Sequence, residues 1–257
     1  MTIYFDNTAR KTRDLPVSEA ERAARLQLAA AYRVFAHLGW TEMIFNHITL
    51  RVPGPERLFL INPFGLHYSE VKASNLVLID IEGNPVRESP WPVNRAGFVI
   101  HSAIHGQVAE AHCVMHTHTT TGMAVASLRD GLSPTNFYAA QLAGQVAYHE
   151  FEGITVNPEE QQRLLASVGA KRALILRNHG LLTWGPSLPE AFMLLWTLQR
   201  ACDVQIASSA AGPLQPIRPE VFAQTVRESG PGEKRTCEDV FAAMVRQVDA
   251  RDPSYRD

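Results

Sequence analysis

The chain has 257 residues, of which 46% are hydrophobic and 19% charged, and its formal net charge at pH 7 is −2. Such a composition is typical of a globular protein with enough apolar side chains for a large core, in one or two domains. The near-neutral charge gives no electrostatic reason to expect binding to nucleic acid or to a membrane surface.

The N-terminal residues and the cysteines indicate the compartment. Residues 1–17 are polar, mix both charges and lack the apolar core of a signal peptide, so we expect a loose N-terminal arm. No run of 18 apolar residues predicts a membrane span. The three cysteines, Cys113, Cys202 and Cys237, lack CxxC spacing, which is typical of buried thiols in a reducing compartment. These features predict a cytoplasmic protein.

The first half of the chain predicts a helix followed by β-rich segments. Ser18 and Glu21 have the spacing of a capping box, and apolar residues then recur at helical spacing up to Gly39. Short strands are predicted in NHITLRVP, RLFLINP and NLVLIDIEGNPV, the last with a hairpin turn at Gly83–Asn84. A second amphipathic helix is predicted in NRAGFVIHSAIHGQVA, and a strand in AHCVMHTH.

The second half alternates helices and strands. A short strand is predicted in QVAYHEF, between helices in TTTGMAVASL and PEEQQRLLASVG. A buried strand, a turn and a second strand are predicted in RALILRNHGLLTWG. The longest helix, LPEAFMLLWTLQRACDVQIASSAAG, is apolar over most of its surface, which is typical of a buried helix or one that packs on another subunit. We expect one domain over residues 18–212 and a flexible extension over residues 213–257 with one helix, CEDVFAAMVRQVDAR.

Two histidines stand one residue apart in the predicted strand AHCVMHTH. Side chains alternate along a strand, so His116 and His118 point to the same side of the sheet. Two neutral imidazoles on one face form an efficient chelate for a borderline metal such as Zn²⁺. The alternative is a pair of core histidines that are hydrogen-bonded to the backbone.

A third histidine favours the metal site. His179 follows a buried strand and precedes Gly180, which lets the backbone turn close to a site. Three histidines with an open fourth position form the pattern of catalytic zinc. The other seven histidines are expected to pack in the interior or to lie at the surface: His101, His105, His112 and His149, with a functional role as the lesser alternative, and His37, His47 and His67.

These motifs resemble the class II aldolase/adducin family. The resemblance rests on HTH and RNHG, with INPFGLHYSEVKASNLVLID upstream, and extends from about Ala23 to Gly212. The segments FNHITLRV, NRAGFVIHSAIH and GQVAYHEF are similar to the branch that includes the adducin head domain and many bacterial relatives. The resemblance implies a three-layer α/β/α fold around a mostly antiparallel sheet.

The resemblance also implies a cofactor and an assembly. In the aldolases, the histidines that match His116, His118 and His179 hold a divalent metal. Zinc is the first expectation here, with manganese, iron or cobalt as alternatives. The family forms homo-oligomers, often tetramers, and binds small-molecule substrates at the boundaries between subunits.

The sequence departs from the aldolases at the residue that transfers a proton. Their catalytic glutamate stands four residues before a histidine, and alignment of that histidine with His101 places Gly97 at the glutamate position. A positioned acid or base contributes roughly 10²–10⁴-fold in rate, so the change matters. Glu70 and Glu150 are candidates to replace it, and Tyr138 lies near the place of a proton-donating tyrosine of the family.

The elements that hold a substrate phosphate in the aldolases are also altered. Their places are taken here by Phe45–Asn46, Phe64–Gly65 and Arg95–Ala96, so small residues have become aromatic. Asn46 and Gly65 are retained as candidate substrate-binding residues, and Arg95 can pair with a carboxylate in bidentate fashion. The phenylalanines either belong to the core or cover a flat ring. We therefore expect a substrate without a phosphate.

Three functions are consistent with these features. The first, which we prefer, is a metal-dependent lyase that cleaves a C–C bond of a small hydroxy, keto or aromatic acid, by decarboxylation or retro-aldol cleavage. The second is a non-haem Fe(II) oxygenase, although the common iron site has two histidines and a carboxylate. The third is a non-catalytic assembly module like the adducin head, for which three such histidines have no evident use.

Overall fold

The computed structural model describes residues 4–5, 16–153, 158–229 and 233–257, without the side chains of residues 4, 5, 95, 96 and 158. The strands in these ranges are β1 (Tyr4–Phe5), β2 (His47–Arg51), β3 (Phe59–Ile61), β4 (Val77–Ile79), β5 (Val93–Asn94), β6 (Cys113–Thr117), β7 (Val146–His149), β8 (Ala173–Leu176) and β9 (Gly180–Gly185). The α-helices are α1 (Glu19–Leu38), α2 (Arg95–Gln107), α3 (Thr120–Ala126), α4 (Phe137–Gln141), α5 (Pro158–Val168), α6 (Leu188–Ala211), α7 (Pro219–Glu228) and α8 (Lys234–Asp249).

Seven strands form one sheet in the order β4-β3-β2-β6-β9-β8-β7. Every neighbouring pair is antiparallel except β7 and β8, which are parallel. The prediction of a mostly antiparallel sheet is therefore confirmed. Strand β6 lies at the centre of the sheet, so a residue on it has neighbouring strands on both sides.

Helices cover both faces of this sheet. On one face, α1, α6 and α8 pack a large apolar cluster that contains Phe35, Phe192 and Phe241. On the other face, Ile104 of α2 and Leu164 of α5 belong to a second cluster with residues of β6, β8 and β9. Burial of apolar surface on both sides of one sheet produces the predicted three-layer α/β/α arrangement.

The first helix begins and ends where predicted, but the Glu21 carboxylate pairs with Arg25 and Arg87 and does not close the predicted capping box. The Ser18 hydroxyl accepts a hydrogen bond from the Glu21 N–H at 3.1 Å, and Gly39 ends the helix with a φ of 73°. All three cysteines are buried as free thiols. In the described part of the chain, no helix has the length and apolar character needed to cross a membrane.

The segment 213–257 differs from the prediction of a flexible extension with one helix. It contains two helices, α7 and α8. The segment after the second helix packs on α1, where Tyr255 is buried in the large cluster and Arg33 pairs with Asp252 at 2.5 Å. The second helix, α8, is itself docked on α1 and α6, with Phe241 buried in the same cluster. Its amphipathic face therefore completes one outer layer of the domain.

Candidate metal centre

The centre of the sheet places two imidazoles together. His116 lies near the end of β6, and His118 follows directly after the strand. The two ring centroids are 4.5 Å apart, and the two Nε2 atoms are 2.7 Å apart. Both side chains therefore lie on the same face, as alternation along the strand predicts.

The hairpin between β8 and β9 brings the third imidazole to this pair. Leu176 pairs with Gly180, and Asn178 between them has a φ of 56°, a left-handed conformation that asparagine tolerates well. This turn places the His179 ring 4.8 Å from that of His116 and 4.9 Å from that of His118. One potential ligand atom from each of the three histidines lies within 4.8 Å of the others.

Gly180 allows this close approach. A Cβ atom at this position would lie 2.3 Å from the Thr117 carbonyl oxygen, and 3.1 and 3.3 Å from the rings of His118 and His116. The neighbouring atom is backbone, which cannot move aside without shifting β6. Glycine is thus required because the hairpin lies directly against the two histidines.

A backbone carbonyl sets the orientation of His116. The His116 Nδ1 lies 2.9 Å from the Leu181 carbonyl oxygen, and since a carbonyl can only accept, Nδ1 must carry the hydrogen. The Nε2 atom of His116 is then an unprotonated lone pair, directed at His118. Metal-binding histidines are commonly held by such a second hydrogen bond, so the His116 environment fits a ligand.

The site also keeps its imidazoles neutral. Burial lowers the pKa of His116 well below its usual value, and the neighbouring histidines lower it further. Burial, followed by the proximity of His118, lowers the pKa of His179 to about 4, and burial alone lowers that of His118. Because the charged form is disfavoured, all three imidazoles are neutral at pH 7, each with one ring nitrogen free of hydrogen to bind a metal.

Of the candidates for proton transfer, Glu150 lines a small cavity together with His179, whereas Glu70 and Tyr138 make their contacts elsewhere within one subunit. Glu70 is exposed, and its carboxylate accepts a hydrogen bond from the His67 N–H at 2.8 Å. The Glu150 side chain is 85% exposed. The ring of Tyr138 packs against Trp196 of α6 at 5.5 Å. Neither the hydrogen bond of Glu70 nor the ring contact of Tyr138 involves the three histidines, so the predicted role of each candidate stays a prediction.

The candidate substrate-binding residues lie at the ends of β2 and β3. Asn46 is buried with a φ of 67°, and Gly65 has a φ of 107°. The rings of Phe45 and Phe64 are 6.2 Å apart; Phe64 is buried, whereas Phe45 is 41% exposed and thus is not a core residue. Arg95 begins α2, and its side chain lies outside the described residues.

Three further histidines lie on the same side of the sheet as the candidate ligands, and their sequence pattern predicted mainly packing roles. His47 and Thr49 alternate along β2, so both face α2, where His101 and His105 lie. The Thr49 hydroxyl oxygen is 2.7 Å from His101 Nδ1 and 2.7 Å from His105 Nε2. His47 is paired in register with His116. The spacing of His47 and Thr49 was the only sequence signal for this arrangement.

Of the other four histidines, His149 lines a small cavity together with His179, and the remaining three make their contacts away from this group. His112 is exposed, whereas His149 is buried with its Nε2 3.6 Å from Glu160. His67 caps a short 3-10 helix through its side chain, and His37 lies in the last turn of α1. These positions agree with the expected structural or surface roles.

Comparison with known proteins places this fold and site in a family. The model of the Class II Aldolase and Adducin N-terminal domain matches residues 26–206. A Caulobacter vibrioides protein, whose name assigns it provisionally to class 2 aldolases, is 42% identical over 243 residues, covering 94% of this chain and 95% of that protein. Alpha-adducin of Rattus norvegicus is 39% identical over 259 residues, covering 95% of this chain and 35% of that protein.

Solved structures agree with the sequence comparison. An aldolase II superfamily protein from Pseudomonas syringae is 43% identical, with a TM-score of 0.89 over 94% of this chain and 98% of that chain. L-fuculose 1-phosphate aldolase from Glaciozyma antarctica PI12 is 29% identical, with a TM-score of 0.82 over 96% of this chain and 97% of that chain. The chain therefore belongs to the class II aldolase and adducin family.

Proposed function

We propose that the protein is a divalent-metal-dependent lyase that cleaves a C–C bond of a small acid, by decarboxylation or retro-aldol cleavage. The observation that carries this proposal is the convergence of His116, His118 and His179, whose potential ligand atoms lie within 4.8 Å of one another. Three neutral imidazoles suit Zn²⁺ best, with manganese, iron and cobalt as alternatives.

A bound divalent ion would supply positive charge that polarises a carbonyl group and stabilises the electron pair released by bond cleavage. The chain contributes rigid and neutral ligands. The Leu181 carbonyl holds the His116 ring, and the close contact at Gly180 fixes the hairpin that carries His179. Because none of the three side chains carries a negative charge, the centre favours an anionic substrate such as a hydroxy or keto acid.

The surroundings favour an acid without a phosphate. Phe45 and Phe64 stand beside Asn46 and Gly65, where small residues would let backbone amides approach a phosphate. An exposed aromatic ring at this place suits a flat or apolar substrate instead. We assign Asn46, Gly65 and Arg95 to substrate binding on these grounds.

We further propose a homo-oligomer, a tetramer by analogy with the family, with sites at subunit boundaries. Tyr138 lies on α4 and packs against Trp196 of α6 in the same subunit, so its role as proton donor requires that a neighbouring subunit presents it to the site. Glu70 is the weaker candidate, because its carboxylate already caps a short helix. Sedimentation of the purified wild type tests the assembly. Loss of CO₂ or pyruvate release in a Tyr138→Phe protein that sediments like the wild type tests the assignment.

Metal analysis of the purified protein tests the proposal first. We expect about one divalent ion per chain in the wild type and a loss of most of it in His179→Ala, with the exposed His112→Ala as the matched control. Metal-loaded protein is then screened against small hydroxy, keto and aromatic acids for release of CO₂ or pyruvate. Stoichiometric metal with no release from any acid of the panel would count against the lyase.

Two other functions make different predictions. A 39% identity to alpha-adducin favours an assembly module, which predicts a wild-type protein without stoichiometric metal. An Fe(II) oxygenase predicts oxygen uptake after anaerobic loading with iron. The oxygenase is less well supported, because the ligand set found among the described residues consists of three histidines without a carboxylate.

A further inference from the structure

The side chain of His47 has no structural explanation in its own surroundings. It is 3% exposed, and neither ring nitrogen makes a hydrogen bond of good geometry among the described residues, although the Gly97 backbone lies against the ring. A buried polar atom without a partner is costly, and native proteins retain few of them. An imidazole with two such atoms therefore points to a ligand that supplies the missing hydrogen bond.

The position of His47 relates it to the metal centre. It is opposite His116 in the antiparallel register of β2 and β6, so the two side chains lie on the same face. Their ring centroids are 5.5 Å apart. The set of three histidines with mutually close ligand atoms does not include His47. His47 thus stands beside the three candidate ligands and is not one of them.

Gly97 provides the space for this ring. A Cβ atom at Gly97 would lie 2.2, 2.4 and 2.7 Å from Cε1, Nδ1 and Nε2 of His47. A residue larger than glycine at position 97 would overlap with the His47 ring in its present position. In the alignment on His101, position 97 is where the aldolases carry a glutamate. An imidazole therefore occupies the space next to the centre that a carboxylate side chain would otherwise enter.

Hydrogen bonds among His105, Thr49 and His101 fix the tautomers of the two histidines that lie near His47. The Ala111 carbonyl can only accept, so His105 Nδ1 donates to it at 2.7 Å, and His105 Nε2 must accept from the Thr49 hydroxyl. That hydroxyl oxygen then accepts from His101 Nδ1–H. His101 Nε2 consequently carries no hydrogen, and it too lacks a partner among the described residues. The ring centroids of His101 and His47 are 4.1 Å apart, but no hydrogen bond joins the two imidazoles.

We propose that His47 hydrogen-bonds the acid that occupies the open position of the metal centre, which makes it a further substrate-binding residue. This inference rests on the proposed metal centre and specifies its substrate as an anion. The N–H group of a neutral imidazole attracts a carboxylate, whereas a glutamate in the same space would repel it. An imidazole in the place of the glutamate therefore favours the binding of an acidic substrate.

Cobalt-loaded protein tests this inference without turnover. The visible spectrum of bound Co²⁺ reports a new ligand, so glycolate is titrated into the wild type, His47→Phe and the matched exposed variant His112→Phe. We expect all three to bind one Co²⁺ per chain with similar affinity, and His47→Phe to bind glycolate about tenfold or more weakly. Gly97→Ala keeps the imidazole but forces the ring or helix α2 to shift, and it should weaken glycolate binding in the same direction.

The possible outcomes are distinct. Wild-type affinity for glycolate in a folded His47→Phe protein overturns the inference and leaves the metal centre intact. Loss of Co²⁺ from His47→Phe alone also overturns it, since His47 would then be a ligand. If His47→Phe does not fold, wild-type glycolate affinity in Gly97→Ala overturns it instead. A wild-type protein that binds no Co²⁺ removes the metal centre, and this inference with it.

Discussion

Two glycines of the same helix should respond in opposite ways to a methyl group. Gly97 and Gly106 both lie in α2. A Cβ at Gly106 would meet no heavy atom within 4 Å beyond its chain neighbours and the backbone of its own helix, whereas a Cβ at Gly97 would lie 2.2 Å from the nearest ring atom of His47. Real Cβ atoms do not approach other atoms so closely, so either the ring or the helix must move in Gly97→Ala.

The magnitude follows from two opposing terms. Alanine in place of glycine stabilises a helix interior by up to about 1 kcal/mol, which is the expected ceiling for Gly106→Ala. Overpacking a core typically costs about 1–3 kcal/mol, which exceeds this gain in Gly97→Ala. We therefore expect Gly97→Ala to be less stable than Gly106→Ala by roughly 1–3 kcal/mol, or several degrees in Tm.

Urea unfolding of both metal-free variants, followed by circular dichroism, measures this difference. Repeating the pair in a His47→Ala background forms a double-mutant cycle, in which removal of the ring should abolish the cost at position 97. Equal stability of Gly97→Ala and Gly106→Ala with His47 present would refute the packing argument. A cost that persists without the ring would show that His47 is not its cause.

Three further results are expected. Gly180→Ala should weaken metal binding at least about tenfold in equilibrium dialysis, because the added methyl displaces the ligand rings; unchanged affinity would contradict the close approach. Asn178→Gly should leave the free energy of unfolding nearly unchanged, whereas Asn178→Val should lower it by roughly 1–3 kcal/mol, since valine resists the left-handed φ of 56°. Burial lowers the pKa of His47 and His105 to about 3, so metal-free protein should be most stable above about pH 6.5. Between about pH 6.5 and the pKa of the folded state, each of these histidines should lower the free energy of unfolding by roughly 1.4 kcal/mol per pH unit, because the unfolded chain takes up the proton first. Equal urea midpoints at pH 7.5 and 5.5 would contradict this.

The sequence alone determined the three candidate metal ligands. Alternation along a strand placed His116 and His118 on one face, and the motif RNHG placed His179 at a tight turn. Each of these features depends on residues within a few positions along the chain. The resemblance to the class II aldolase and adducin family added the layers of the fold and the mostly antiparallel sheet.

Tertiary structure decided the surroundings of these ligands. His47 lies opposite His116 only because β2 and β6, some 65 residues apart in the sequence, pair in one particular register. Gly97 faces the His47 ring only because α2 packs on that side of the sheet. The second C-terminal helix docks for a similar reason, since the apolar surface it covers belongs to α1 and α6. Local patterns report which way a side chain points along its own element, whereas register and packing arise from contacts between distant segments, and these decided what each side chain meets.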